Sequence, residues 1–374
     1  LGIFVMIYCI IGVQFYWEGS YYFLGFDHKP NLNRIYNLIA IFSIFFLVTY
    51  FIIINAISVK KIISKALSYK IKNYRLLNFY CTFVFFFTSF VLFEDTAKSY
   101  NSIAHLLLNS LIPIIGFLII NKYKISFLYL ALFTGIAIFF GFRYRLALLY
   151  LPIVLFYFSL RRDYFKNFQK YLFLALFFIF TVAALGVARN YSQGLDVSKL
   201  TDYSLSDLLI VGIFNDTNTI LTSGTFIDWF DRYGQYALLN QITYTLEYFI
   251  PAFLFESKTY SPILEYTRLS IRDYTSGAAV LGFAEYYHTA GIVGVIFFSI
   301  LISSVLTVLY KKQVVTGDLY HRFFYLCLLV WFINSLTRGY FPQNASDLTS
   351  ILLGFYFIRA ASVRFRLLRL QDPR

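Results

Sequence analysis

Apolar residues in this chain fall in long continuous stretches, broken by short polar connections and by one long polar segment. The stretches cover residues 1–17, 35–59, 77–93, 102–120, 125–141, 146–160, 171–188, 288–310, 323–337 and 346–362. Their lengths suit helices crossing a hydrocarbon core about 30 Å thick. The apolar–polar alternation of barrel strands is missing from them. The pattern therefore predicts an all-α, polytopic bundle of about ten transmembrane helices. The run that opens the chain has no small-residue cleavage site after it, so it reads as a first span rather than a signal peptide.

The connections fix a direction for the bundle. Those after spans two, four, six and eight carry Lys60, Lys61, Lys65, Lys70, Lys72 and Arg75; Lys122 and Lys124; Arg161, Arg162, Lys166 and Lys170; and Lys311, Lys312 and Arg322. If spans alternate, these connections and the tail with Arg359, Arg364, Arg366, Arg369 and Arg374 share one side. That side holds 20 of the 32 Lys and Arg residues but 3 of the 19 acids. Basic residues concentrate on the cytoplasmic face of membrane proteins. Both termini are then expected inside, and residues 189–287 form a large outer loop. The chain divides into spans one to seven (1–188), that loop (189–287), and spans eight to ten with a basic cytoplasmic tail (288–374).

Composition agrees with this reading. Hydrophobic residues make up 59% of the chain and charged ones 14%, far from the balance of a soluble domain. The net charge of +13 needs no nucleic acid, because its distribution is that of a membrane protein. The loop carries 11 of the 19 acidic residues, interleaved with aromatics, and is too apolar for a linker. Within it Leu208–Phe214 and Tyr244–Phe255 are too short to span and suit amphipathic helices, with a re-entrant segment near Pro251 as a variant. The 33 Tyr and 45 Phe read first as lipid-facing bulk and interfacial belts; loop tyrosines also suit stacking on sugar rings. Cys9, Cys81 and Cys327 lie in apolar spans as packing residues, and no metal-ligand spacing or nucleotide-binding loop is present.

Candidate chemistry rests on charged residues where the basic bias disfavours them. Arg143 and Arg145 occupy a turn, Phe142–Arg145, between spans five and six; Arg189 ends span seven; Arg338 follows span nine; and Arg272 lies in the loop. They either snorkel to headgroups and pair with nearby acids, or form a cluster that binds an anion such as phosphate through guanidinium forks. Glu285 and His288 are three apart and share a helix face just before span eight. They serve either packing or, at a water-accessible helix end, as general base and orienter. Gly291 and Gly294 permit close helix packing.

Four blocks in this chain resemble those of the Wzy-type polymerases of bacterial O-antigen and capsule repeat units. They are Arg143-Tyr-Arg145-Leu-Ala-Leu-Leu-Tyr, Ile250-Pro-Ala-Phe-Leu-Phe-Glu-Ser-Lys258, Gly282-Phe-Ala-Glu285-Tyr-Tyr-His288-Thr-Ala-Gly291-Ile-Val-Gly294 and Arg338-Gly-Tyr-Phe341. They span roughly residues 125–362 in the family's order, with Thr289-Ala290 where the family usually has an aromatic residue before the glycine pair. The resemblance implies a multi-pass protein of the bacterial inner membrane. It implies transfer of a growing glycan from its polyprenyl diphosphate carrier to the next carrier-linked unit at the outer face, without metal or cofactor. Arg143, Arg145, Arg189, Arg272 and Arg338 would then bind diphosphate or glycan, with Glu285 or His288 as base. Membrane lipid and the lipid-linked oligosaccharide are the implied partners, with a chain-length regulator and a flippase beside them. An O-antigen ligase and a polysaccharide flippase are the alternatives.

Overall fold

The computed structural model describes residues 32–57, 67–93, 101–140, 143–160, 184, 189–190, 194–195, 204, 219–250 and 280–366. Spans one and seven, the segment Leu208–Phe214, the Pro251 region, Cys9 and Arg272 lie outside the described residues. The described helices are α1 (Leu32–Ala56), α2 (Tyr74–Phe93), α3 (Asn101–Ile120), α4 (Ser126–Phe139), α5 (Arg143–Leu160), α6 (Thr219–Tyr233), α7 (Asn240–Phe249), α8 (Gly282–Thr316), α9 (Leu319–Thr337) and α10 (Phe341–Ala360). Five of them, α1, α2, α3, α8 and α9, are long and apolar enough to cross a membrane, and α4 and α5 are shorter apolar helices. The chain is a predominantly helical membrane protein. Its large exposed side chains, among them Phe51, Phe79, Phe86 and Phe127, face outward from the bundle as they do in lipid.

Parallel helix pairs organise the bundle. Ser299 Oγ donates to the Phe42 carbonyl and Ser303 Oγ to the Phe46 carbonyl, each at 2.7 Å. Lower down, Lys311 Nζ donates to the carbonyls of Ile54 and Ile57. The offset of 257 residues holds at Phe42, Phe46 and Ile54, so α8 and α1 run parallel in fixed register. The lysine also places positive charge at the carbonyl end of α1, where the helix dipole favours it. Hydroxyl-to-carbonyl bonds of this kind are common glue between membrane helices. A second close approach joins α10 to α3, where a Cβ on Gly354 would strike the Ser110 carbonyl and the Pro113 ring.

Several connections meet at one end. Strand β1 (Leu67–Ile71), ahead of α2, pairs antiparallel with β4 (Ser362–Arg366), beyond α10. The Lys72 and Asn73 N–H groups both reach the Ala361 carbonyl at 3.0 Å. Tyr74 stacks on Tyr123 of the α3–α4 turn, ring centroids 4.4 Å apart. Lys72, Arg75, Lys122, Lys124 and Arg359 thus gather at that end. A small hairpin of β2 (Arg189–Asn190) and β3 (Gly194–Leu195) is also present.

The long segment read as an outer loop is only partly a loop. Residues Thr219–Ile227 of α6 are buried, against α1 and α8, rather than lying on a surface. Span eight begins earlier than its apolar run suggests, at Gly282, and the helix is not continuous. Ala290 (φ −156°, ψ 34°) and Gly291 (φ 62°, ψ −147°) break it. A positive φ with that ψ is open to glycine and costly for other residues. The chain reverses there: Tyr286 stacks on Phe298 at 4.6 Å, and a Cβ on Gly294 would strike the Tyr286 carbonyl. Gly282–Thr289 is therefore a re-entrant half-helix folded back along the span that follows it. Its last carbonyls are satisfied from outside the helix. Ala237 N–H bonds the His288 carbonyl at 3.0 Å and Leu238 N–H bonds the Thr289 carbonyl at 2.8 Å. At its other end, Leu281 N–H donates to Ser223 Oγ of α6 at 2.7 Å. Non-helical backbone at this depth is tolerated because protein groups satisfy it.

Candidate functional site

The site forms where α9 gives way to α10. The connection Arg338–Tyr340 is too short to travel and must turn in place, and Gly339 allows it. A Cβ on Gly339 would lie 2.5 Å from the Gly282 Cα and 2.6 Å from its nitrogen. Gly339 N–H also donates to the Val280 carbonyl at 2.6 Å. The Asn344 side-chain amide, in the first turn of α10, closes the connection by donating to the Arg338 carbonyl at 2.9 Å. Two glycines 57 positions apart in sequence therefore touch backbone to backbone. The Gly282–Gly294 and Arg338–Phe341 blocks are in direct contact.

Glu285 seals the junction. Its Oε1 accepts from the Phe341 N–H at 3.0 Å, one of the donors that the start of a helix leaves without a partner. The carboxylate also sits where the α10 dipole favours negative charge. Its Oε2 lies 3.7 Å from His288 Nδ1, both side chains being 1% exposed. The imidazole meets Phe230 and Phe226 edge-on, with centroids 5.3 and 5.8 Å away. Glu285 Oε2 and both His288 nitrogens have no hydrogen-bond partner among the described residues. The pair was expected at a water-accessible helix end. It is instead enclosed, because the half-helix runs inside the bundle and α6 covers it. Glu285 lines one wall of a cavity of about 180 Å³ between α8, α9 and α10, with Tyr286, Phe298, Trp331 and Phe341.

Beside the pair stands a polar triad. Arg34 Nη2 donates to Tyr287 OH at 2.8 Å, and Tyr287 OH donates to Asp231 Oδ1 at 2.6 Å. Arg34 and Asp231 are half-exposed, with Nε 3.6 Å from Oδ2. The triad ties α1, α6 and the half-helix together beside His288.

Of the arginines expected to bind an anion, the side chains of Arg145 and Arg338 are described, and those of Arg143, Arg189 and Arg272 lie outside the described residues. Arg143 and Arg145 stand in the first turn of α5 rather than in a turn between helices. Arg145 is 3% exposed, so snorkelling to headgroups does not describe it. Its Nε donates to Tyr144 OH at 3.1 Å, and it interacts electrostatically with Asp347 of α10 and His105 of α3. Tyr144 also hydrogen-bonds Gln343, in the first turn of α10. Arg338 lies in the α9–α10 connection beside Gly282. Arg189 belongs to the β2–β3 hairpin.

Sequence reasoning missed Asp347, Asn109, His105 and Ser223. An aspartate and a histidine inside apolar stretches are expensive in a membrane and mark functional or paired positions, which was the available signal. Asp347 is 2% exposed and its Oδ1 accepts from Asn109 Nδ2 at 2.6 Å. Tyr248 of α7 packs edge-on against Tyr340 with centroids 6.0 Å apart. Burial near Tyr144 and Asp347 raises its phenol above the ordinary range. No family model, no curated protein and no solved structure matches this chain.

Proposed function

We propose that this protein polymerises oligosaccharide repeat units carried on polyprenyl diphosphate, at the outer face of a bacterial inner membrane. The observation that supports the reading is convergence at the start of α10. Three of the four blocks that resemble Wzy-type polymerases meet there. Gly282 and Glu285 touch Gly339 and Phe341, while Tyr144 and Arg145 interact with Gln343 and Asp347 in the next two turns. The fourth block follows directly from α7, whose Tyr248 packs on Tyr340. Segments far apart in sequence that carry the resemblance are thereby brought to one place, as a shared site requires.

The chemistry asks for charge stabilisation and an acid–base group. In the transfer, an acceptor hydroxyl oxygen bonds the anomeric carbon, the bond from that carbon to the diphosphate breaks, and the electron pair leaves on phosphate. Arg145 and Arg338 supply fixed positive charge to that leaving group. Glu285, with one oxygen held by Phe341 N–H and the other toward His288, receives the hydroxyl proton. The apolar cavity beside Glu285 suits a lipid chain.

A transporter is the second reading, favoured by the re-entrant half-helix, since broken helices recur at transporter binding sites. Deleting the gene and resolving surface glycan by length separates the two. Polymerase loss leaves single-repeat glycan, whereas flippase or ligase loss removes surface glycan altogether. Arg145→Lys, expressed at the wild-type level, is expected to shorten the polymer because a point charge cannot replace the planar fork. Full-length polymer in the deletion strain would end the polymerase reading.

A further inference from the structure

We propose that Asp347 and Asn109 form a carbohydrate subsite, accepting hydrogen bonds from hydroxyl groups of the glycan. The inference rests on the polymerase reading and identifies where that enzyme would hold its sugar.

The pair is bonded on one side only. Asn109 Nδ2 donates to Asp347 Oδ1 at 2.6 Å, which leaves Asn109 Oδ1 and Asp347 Oδ2 as two acceptors without a donor among the described residues. Both side chains are buried, at 3% and 2% exposed. Buried acceptors without donors cost stability, and two oxygens beside each other repel unless something donates to both. A diphosphate diester brings only acceptors and cannot fill the gap. A metal cation is opposed by Arg145, which interacts with Asp347. A neutral group with hydroxyl donors fits both acceptors, and neighbouring hydroxyls on a sugar ring supply two of them.

The surroundings suit the same ligand. Tyr144, Tyr248 and Tyr340 lie around the pair: Tyr144 and Tyr248 both interact with Asp347, and Tyr340 packs against Tyr248. Aromatic faces with polar tips match the apolar face and hydroxyl rim of a pyranose. Cover comes from α7, which packs on α10 and α3 and which buries Gln241. The subsite lies on α10 nearly two turns beyond the Glu285 contact at Phe341, and a bound sugar would neighbour Arg145.

The test uses the full chain in detergent and two lipids. One is the repeat unit on its polyprenyl diphosphate, extracted from cells deleted for this protein; the other is polyprenyl diphosphate alone. Wild-type protein is expected to bind the glycan-bearing lipid more tightly than the bare one. Asn109→Leu is expected to weaken glycan-lipid binding by about tenfold and to leave bare-lipid binding unchanged. If Asn109→Leu does not fold, Asp347→Asn, which keeps the shape and one acceptor oxygen, is read the same way. Undiminished glycan-lipid binding in the folded variant overturns the subsite, the two oxygens then being bridged by a buried water. Equal loss for both lipids also overturns it, since the pair then serves only to hold Arg145. Wild-type protein that binds neither lipid removes the polymerase reading itself.

Discussion

Replacing Gly339 by alanine tests the junction on which the whole site depends. The added Cβ would stand 2.5 Å from the Gly282 Cα, 2.6 Å from its nitrogen and 2.7 Å from the Leu281 carbonyl carbon. All three are backbone atoms, so no side chain can swing aside. Carbon contacts relax only beyond about 3.5 Å, and α9 and the half-helix must therefore separate by close to an ångström. Overpacking of this kind costs about 1–3 kcal/mol. Weakening the Gly339-to-Val280 hydrogen bond adds about 1 kcal/mol. A loss of about 2–4 kcal/mol should show as a lower unfolding temperature in detergent and less folded protein in the membrane. Gly135→Ala is the control, because nothing lies within 4 Å of its Cβ position and it sits inside α4. The same chemical change there should stabilise by about 0.5–1 kcal/mol through reduced backbone entropy. If Gly339→Ala unfolds at or above the temperature of Gly135→Ala, the close contact between the two blocks is wrong.

Two further outcomes follow from named contacts. Ser223→Ala strips the acceptor from the buried Leu281 N–H and should cost about 1–3 kcal/mol, read as a lowered unfolding temperature; an unchanged value would detach α6 from the half-helix. In contrast, the half-exposed pair Arg34 and Asp231 should show a coupling below about 1 kcal/mol in a double-mutant cycle. A larger coupling would mean the triad is shielded from solvent.

Much of the bundle was legible because long apolar stretches and basic connections are additive, local signals. Eight of the ten expected spans fall on described helices, within a few residues at most ends. Three kinds of feature were not legible. Arg145 read as interfacial because its partners, Asp347 and His105, lie far away in sequence. The buried α6 was hidden by its own composition: Thr219, Thr222, Ser223 and Thr225 are buried, and their hydroxyls lower the hydropathy of a segment that packs inside. The half-helix was hidden because Glu285, Tyr286, Tyr287 and His288 lower the hydropathy of Gly282–Thr289, so that segment read as the end of the loop. Only Gly291 betrays the reversal, and a glycine pair has a simpler explanation in helix packing.

That reversal can be tested directly. In a continuous helix residues 286 and 298 would be about 18 Å apart at 1.5 Å per residue. Here the rings of Tyr286 and Phe298 stack at 4.6 Å, because the chain turns back at Ala290 and Gly291. With Cys9, Cys81 and Cys327 replaced, cysteines at 286 and 298 should be joined within one molecule by a short thiol cross-linker of roughly disulfide-to-8 Å reach. A second pair at 298 and 310 has the same separation in sequence but lies wholly in the continuous part of α8, and should not join. Linking at 286–298 alone requires the hairpin. Equal failure of both pairs, with thiols shown reactive, would restore a straight helix. Glu285 would then move about 18 Å along the axis from its contact with Phe341, and the convergence that supports the functional reading would be lost with it.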